Sequence, residues 1–304
     1  MWSEEKNDYP DILQPIPFEE WPLVQNHFRA NWPTYSNYYY WIENSIKWKE
    51  VSPELEIQIY SIRGDYHRDG TFIGISSFSI TSIWVFTTEA SGKIFTISEA
   101  LLKSKHFDWS REIIFCGVHE HVVPLLSMAL DHLKTVGGIE IASIITTRFH
   151  FKSANDATRV EVRLPDECYL AKLNRSHAPL IHSSWSLASK EEPENTTKFI
   201  EAMINWNKSM GLFLKEGDVL VSWCLQSDWH SLGSVYTRDA YRKRGYAKVI
   251  VNIMAKRLGE EGIDPILAIA NGNTPSEHMF ESLGWKPFDH LTWTIMKRKK
   301  KCII

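Results

Sequence analysis

The chain alternates between two hydrophobic periods, and the order is clearest in its second half. There, residues 168–173 read as a strand and 177–184 as a short helix. Asn195 or Thr196 is placed to cap a helix over 197–210. Strands over 211–215 and 219–226 flank Glu216-Gly217-Asp218, a hairpin signal. A strand over 230–237 follows, then a helix from Tyr246 to about residue 262. Its predicted inner face carries Val249, Ile250, Ile253, Met254 and Leu258. A strand over 265–270, a helix starting at Pro275 and stopping near Gly284, and a strand over 290–297 complete the pattern.

The first half is more irregular. Helices are predicted over residues 19–30, 36–47, 97–103 and 120–135, the last ended by Gly137-Gly138. Strands are predicted over 56–62, 71–78, 82–87, 112–116, 139–151 and 159–164, with a hairpin loop over 63–70. The seam falls at Pro165-Asp166-Glu167. This gives two domains, residues 1–165 and 166–304, in keeping with a length of 304 residues.

Composition narrows the class only slightly. The chain is 43% hydrophobic and 23% charged, with a net charge of −3. That balance gives no general attraction to nucleic acid or membrane. Four cysteines without CxxC spacing argue against zinc and a disulfide framework, and for a reducing compartment. The acidic N-terminus reads as neither a secretory signal nor a transit peptide, and no apolar run reaches the ~20 residues of a membrane span. A cytoplasmic location is expected. His119-Glu120-His121 opens a predicted helix with two histidines on different faces, which is not a metal pair. The basic run 297–301 reads as a solvated tail, and Cys302-Ile303-Ile304 is one residue short of a prenylation box.

One turn stands out chemically. Arg242-Lys243-Arg244-Gly245-Tyr246-Ala247 joins a strand to a helix. Such a turn aims backbone N–H groups and the positive end of a helix at one point. The three cations deepen the well, and Gly245 and Ala247 let an anion approach the backbone. A pyrophosphate fits this site. Asn273, Ser276, Met279 and Phe280 form a second group after the next strand. Ser276 and Phe280 lie one turn apart, and Asn273 can reach a ligand or cap the helix.

Residues 235–247 resemble the acyl-CoA binding segment of the GNAT superfamily, whose pattern is Arg/Gln-x-x-Gly-x-Gly/Ala after a strand. Asn273, Ser276, Met279, Phe280, Gly284 and Trp285 resemble its second segment. Within the superfamily the chain is most similar to glycine N-acyltransferase and its relatives, on Ser184-Trp185-Ser186, Gly211, Gly217-x-Val219-x-x-Ser222-Trp223, and Tyr236-Thr237 leading to Tyr241-Arg242. The resemblance spans about 130 residues. It implies an α+β fold with a mixed, mostly antiparallel sheet and flanking helices, in tandem with a degenerate GNAT-like first half. It brings a mitochondrial location as the alternative by analogy.

The resemblance also implies roles. Acetyl-CoA or another acyl-CoA would be the co-substrate, with no metal. Val235, Tyr236 and Thr237 would pair with the pantetheine arm as with an added strand. Amides from Lys243 to Lys248 would hold the pyrophosphate, with Arg242 in the same turn and Lys243, Arg244 or Lys248 near the ribose phosphate. Asn273 and Phe280 would line the arm. The strands on either side must splay, helped by a bulge near Gly233.

An amine would attack the thioester directly, with a backbone amide near Tyr236 holding the oxyanion. Two departures matter. Many GNAT enzymes carry a tyrosine where this chain has Phe280, so Ser276 or Tyr236 would protonate the sulfur, or the thiolate would leave unassisted. The expected carboxylate is missing from residues 229–232, which leaves His230 as the titratable candidate base. The expected function is acyl transfer to a small amine, glycine or another amino acid, in a groove between the halves with residues 190–195 as a lid. A protein N-acetyltransferase and a non-catalytic CoA-binding module are the alternatives. The sequence leaves the oligomeric state open.

Overall fold

In a computed structural model, the structure describes residues 11–64, 66–68, 70–88, 92–136, 138–189 and 192–299. The first half contributes β1 (Leu13–Pro15), α1 (Trp21–Asn26), α2 (Ser36–Val51), β2 (Ile57–Ile62), β3 (Phe72–Ser76), β4 (Thr81–Phe86), α3 (Gly92–Lys103), β5 (Ile113–His119), α4 (Val123–Val136), β6 (Ile139–Phe151) and α5 (Ala154–Thr158). The second contributes β7 (Cys168–Ala171), α6 (Ala178–Ser184), α7 (Pro193–Trp206), β8 (Ser209–Leu214), β9 (Val219–Gln226), β10 (Leu232–Thr237), α8 (Tyr246–Glu260), β11 (Ile266–Ala270), α9 (Thr274–Ser282) and β12 (Lys286–Arg298).

The strands form two sheets. One runs β1-β2-β3-β4-β5-β12-β6-β11 and the other β10-β9-β8-β7. Pairing is antiparallel except between β4 and β5. The larger sheet draws on both halves: β12 inserts between β5 and β6, and β6 lies between β12 and β11. β6 and β12, 13 residues each, pair from Phe151↔Lys286 to Ile139↔Arg298. β11 and β12 of the second half therefore join the first half's sheet on either side of β6, while the four-stranded sheet comes from the second half alone.

Burial follows from this layering. β3 and β4 are buried on both faces, as central strands covered by helices should be. Phe72 and Trp84 pack with Trp41 of α2 on one side. Ile73, Ile75, Ile83 and Val85 pack with α3 and α4 on the other. Gly74 is where α2 comes closest, because a Cβ there would lie 2.2 Å from the Trp41 ring. In the second sheet, α8 covers one face through Ile250, Val251, Met254, Ala255 and Leu258. The buried stripe thus takes Val251 and Ala255 in place of the expected Val249 and Ile253, because α8 is wedged between β8–β10 and α5. α6 and α7 cover the other face around Trp223 and Met203.

Side chains of α2 tie the halves. Trp48 Nε1 donates to Asn207 Oδ1 (2.9 Å), and the Asp264 amide donates to Tyr40 Oη (2.9 Å). Several boundaries differ from expectation. Residues 159–164 follow the turn of α5 and form no strand. His119 ends β5 instead of opening a helix, and α7 starts at Pro193 with Glu192 at its N-cap, so Thr196 lies inside the helix. Lys190 and Glu191, Gly137, the loop positions Asp65 and Asp69, and residues 300–304 lie outside the described residues, as do the start of the N-terminus and part of the basic tail.

Candidate acyl-CoA and acceptor site

The strand-turn-helix unit expected at residues 232–260 is present. After β10, Lys243 (φ 63°) and Gly245 (φ 82°) both adopt left-handed conformations that turn the backbone sharply into α8. Gly245 is the N-cap and no side chain caps the helix, whose first turn carries no acidic residue. The orphan N–H groups of a helix start therefore have no side-chain acceptor here. Space is open beside them, since a Cβ at Gly245 would meet nothing within 4 Å. Tyr246 anchors the turn from behind, buried and donating to Glu167 Oε1 (2.8 Å). Lys243, Arg244 and Lys248 are exposed. Arg242 pairs with Asp239 (2.7 Å), donates to the Thr237 carbonyl (3.2 Å), and lies over the Tyr236 ring.

The splay is present too. β10 and β11 belong to different sheets, so their facing edges are unpaired. A bulge falls where Gly233 was expected to favour one: β10 advances three residues from Gly233 to Tyr236 while β9 advances two from Leu225 to Trp223. The extra residue puts Ser234 at φ 48°. A non-glycine residue held there marks a strained, functionally suggestive position. Ser222 Oγ donates to the Tyr236 carbonyl (2.8 Å) and fixes the strand beyond the bulge.

Behind the splay is a cavity of about 680 Å³ between the two sheets. Its floor is β4, β5, β6, β11 and β12, and its roof is residues 185–189 and α7. Residues 227–234 lead from it to the bulge. Asp228 opens into this cavity, and burial raises its carboxyl to about 7, against the smaller opposing effect of the Asp228 and Trp229 amides. The turn that presents it is rigid: Ser227 N donates to Ser231 O (2.8 Å), and Asn207 Nδ2 donates to Ser227 O (2.8 Å).

His230, expected as the base, is elsewhere. It sits in this same turn at φ 59°, outside β10, and does not line the cavity. Its ring stacks on Tyr40 of α2 (5.4 Å), with Nδ1 3.8 Å from Glu43. Burial, with Lys47 and Lys208 nearby, depresses it to about 3. A histidine so placed is neutral at neutral pH but too weak a base to hold a substrate proton, and it meets no acceptor in the cavity.

The other candidates divide. Tyr236 donates its hydroxyl to Asp239 (2.9 Å) and packs on Trp223, so its proton is already committed. Thr237 Oγ1 and Ser222 Oγ are 2.9 Å apart, and Val235 packs against the α8 core. Asn273 caps α9, accepting from the Ser276 amide (3.3 Å), and both stand outside the cavity. Phe280 is a core residue set edge-on to Trp285 (5.6 Å). Val235 to Lys248 thus form the end of β10, the turn and the start of α8, Phe280 shares the α8 core with Val235 and Tyr246, and Asn273 and Ser276 stand at the start of α9. Asp228 was missed because an acidic residue in a Ser-Asp-Trp-His turn reads as solvent-facing. Its surroundings come from the cavity, whose floor is supplied mainly by the first half and β12.

Residues 209–294 match the FR47-like protein family, and residues 12–128 match a domain of unknown function, DUF5645. No curated protein matches the chain in sequence. The X-ray structure of a Drosophila protein superposes with a TM-score of 0.83 at 20% identity, over 96% of this chain and all of that one. A tandem GNAT protein from the clavulanic acid biosynthesis pathway superposes at 0.55 and 11% identity, over 93% and 97% of the two chains. A GCN5-related N-acetyltransferase from Sphaerobacter thermophilus superposes at 0.53 and 11% identity, over 97% and 98%. The sheet order, the uncapped turn and these likenesses converge: the chain has the fold of the GNAT acetyltransferases, in tandem form.

Proposed function

We propose that the protein transfers an acyl group from coenzyme A to the amine of a small acceptor. Its two units, 1–165 and 166–304, would act as a supporting half and a CoA-binding half. One observation carries this reading: an uncapped helix start faces an unpaired strand edge, and that edge leads into a cavity holding Asp228. The residues fit the ligand. The open turn at Lys243 to Lys248 suits a diphosphate, and the free edge of β10 suits an extended amide-bearing arm. Acetyl-CoA or another acyl-CoA, once bound, supplies an activated thioester carbonyl.

The chain's own residues supply the rest. Asp228, raised to about 7, takes the proton from the acceptor ammonium, whose ordinary pKa is near ~10. Backbone amides of the bulged stretch 234–236 are placed to stabilise negative charge on the carbonyl oxygen. The C–N bond forms as the C–S bond breaks, and the sulfur leaves as a thiolate with ordinary pKa near ~8.5, which takes up the second nitrogen proton without a dedicated acid. Residues 185–189 and α7 roof the cavity, which favours a small acceptor over a protein substrate. Glycine and other amino acids are the first acceptors to assay, in keeping with the family likeness. Thiol release should require both an acyl-CoA and an amine. CoA binding by calorimetry without thiol release from any amine would leave a binding module instead.

A further inference from the structure

The chemistry of the cavity wall says more about the acceptor than the family likeness does. Three indoles meet there: Trp84, Trp229 and Trp293, with ring centroids 5.8–6.3 Å apart. Trp185, on the loop after α6, and Phe199 of α7 face them from the roof. Trp84 is fully buried and its Nε1 has no hydrogen-bond partner. Among the described lining residues the charged groups are Asp228, Glu112 and Lys297, and Lys297 stands 3.7 Å from Glu140.

We infer that the acceptor is a primary amine carried on an apolar, aromatic body and lacking a carboxylate, an arylalkylamine. This rests on the acyl-transfer reading above. Indole faces attract a cation and an aromatic body alike, and Asp228 supplies the counter-charge and later the proton acceptor. An α-carboxylate brought in beside the ammonium would confront Asp228 and the electron-rich ring faces. The acyl chain is the other apolar group that could enter, but it carries no cation for Asp228 to meet. In the reaction the ammonium first gives one proton to Asp228; the amine nitrogen then bonds to the acyl carbon, the carbon–sulfur bond breaks with its electron pair on sulfur, and the second nitrogen proton passes to the departing thiolate.

The test is thiol release by the full-length protein at saturating acetyl-CoA, with 2-phenylethylamine, tryptamine, propylamine, phenylalanine and glycine as acceptors. The expected kcat/KM for the two arylalkylamines exceeds that for phenylalanine by about tenfold or more and that for glycine by about a hundredfold, the scale of one to two ring contacts. Trp185→Ala, at a half-buried loop position, should lower the preference for 2-phenylethylamine over propylamine about tenfold. Equal or better turnover of glycine or phenylalanine overturns this inference and leaves acyl transfer standing. A Trp185→Ala change that alters discrimination among acyl-CoAs, and not among amines, also overturns it. CoA binding without release from any of the five amines removes both.

Discussion

The two halves place the same pair of strands side by side and use them differently. In the first, β4 and β5 pair in parallel at Thr81–Ile83 and Ile113–Phe115 and then part. α2 fills the opening: Tyr38 Oη donates to the Val85 carbonyl (2.9 Å) and Asn37 Nδ2 to the Gly117 carbonyl (3.0 Å). Rings of Tyr35, Tyr38, Phe86 and His119 occupy what remains. In the second half β10 and β11 are unpaired throughout, and the gap leads to an uncapped helix start. A splayed sheet thus creates unmet backbone groups that something must satisfy. In the first half α2 does so, and in the second no side chain caps the start of α8, where the proposed coenzyme would bind.

Four changes probe that difference, ordered by expected effect. Asp228→Asn keeps shape but removes the base, so kcat should fall by ~10²–10⁴ with CoA affinity unchanged. In the parent protein the rate should climb as pH rises through about 7, where the carboxyl ionises. The variant should lose that limb. The same group sets a stability slope. Its folded pKa lies above the ordinary ~3.9, so the folded chain retains a proton that the unfolded chain releases, and stability falls as pH rises from about 4 to about 7. Asp228→Asn should flatten that slope in denaturant titrations at several pH values.

Gly245→Asp comes next. Aspartate tolerates the left-handed conformation and is a good N-cap, so the fold should survive. Its charge would occupy the anion position, and CoA affinity by calorimetry should fall roughly 30–100-fold, the scale of ~2–3 kcal/mol for a charged hydrogen-bonding site. Retained affinity would show that the turn is not where the nucleotide binds. In the closed half, Tyr38→Phe leaves the Val85 carbonyl unmet and should lower stability by ~1–3 kcal/mol without changing CoA affinity. A CoA effect would mean that the first opening also binds ligand. Smallest is Asn273→Ala, which removes the α9 cap for ~1 kcal/mol. Its CoA affinity should move less than twofold, whereas a pantetheine contact would move it more.

Much of the second half was legible in the sequence because its signals are local. Gly217 (φ 76°) and Asp218 (φ 53°) make the predicted β8–β9 hairpin, and the bulge, the glycine turn and the Pro275 helix all fall where expected. Local signals failed where long-range contacts decide. Nothing in residues 286–298 says that they insert between β5 and β6, because alternation fits any neighbour. His230 carries the chemistry of a base, but its left-handed backbone and the Tyr40 ring turn it toward α2. Asp228 carries the chemistry of a turn, but the cavity it lines half-buries it. The predicted strand at 159–164 had the composition without a partner edge.

The inserted strand carries a consequence for how the molecule comes into being. β5 and β6 flank a slot that stays empty until residues 286–298 have been synthesised. From the completion of β6 at Phe151 until then, the growing chain therefore presents two raw sheet margins, a state prone to sticking to neighbours. The first half's sheet is continuous only once β12 is in place, and the cavity floor that both halves share closes only then.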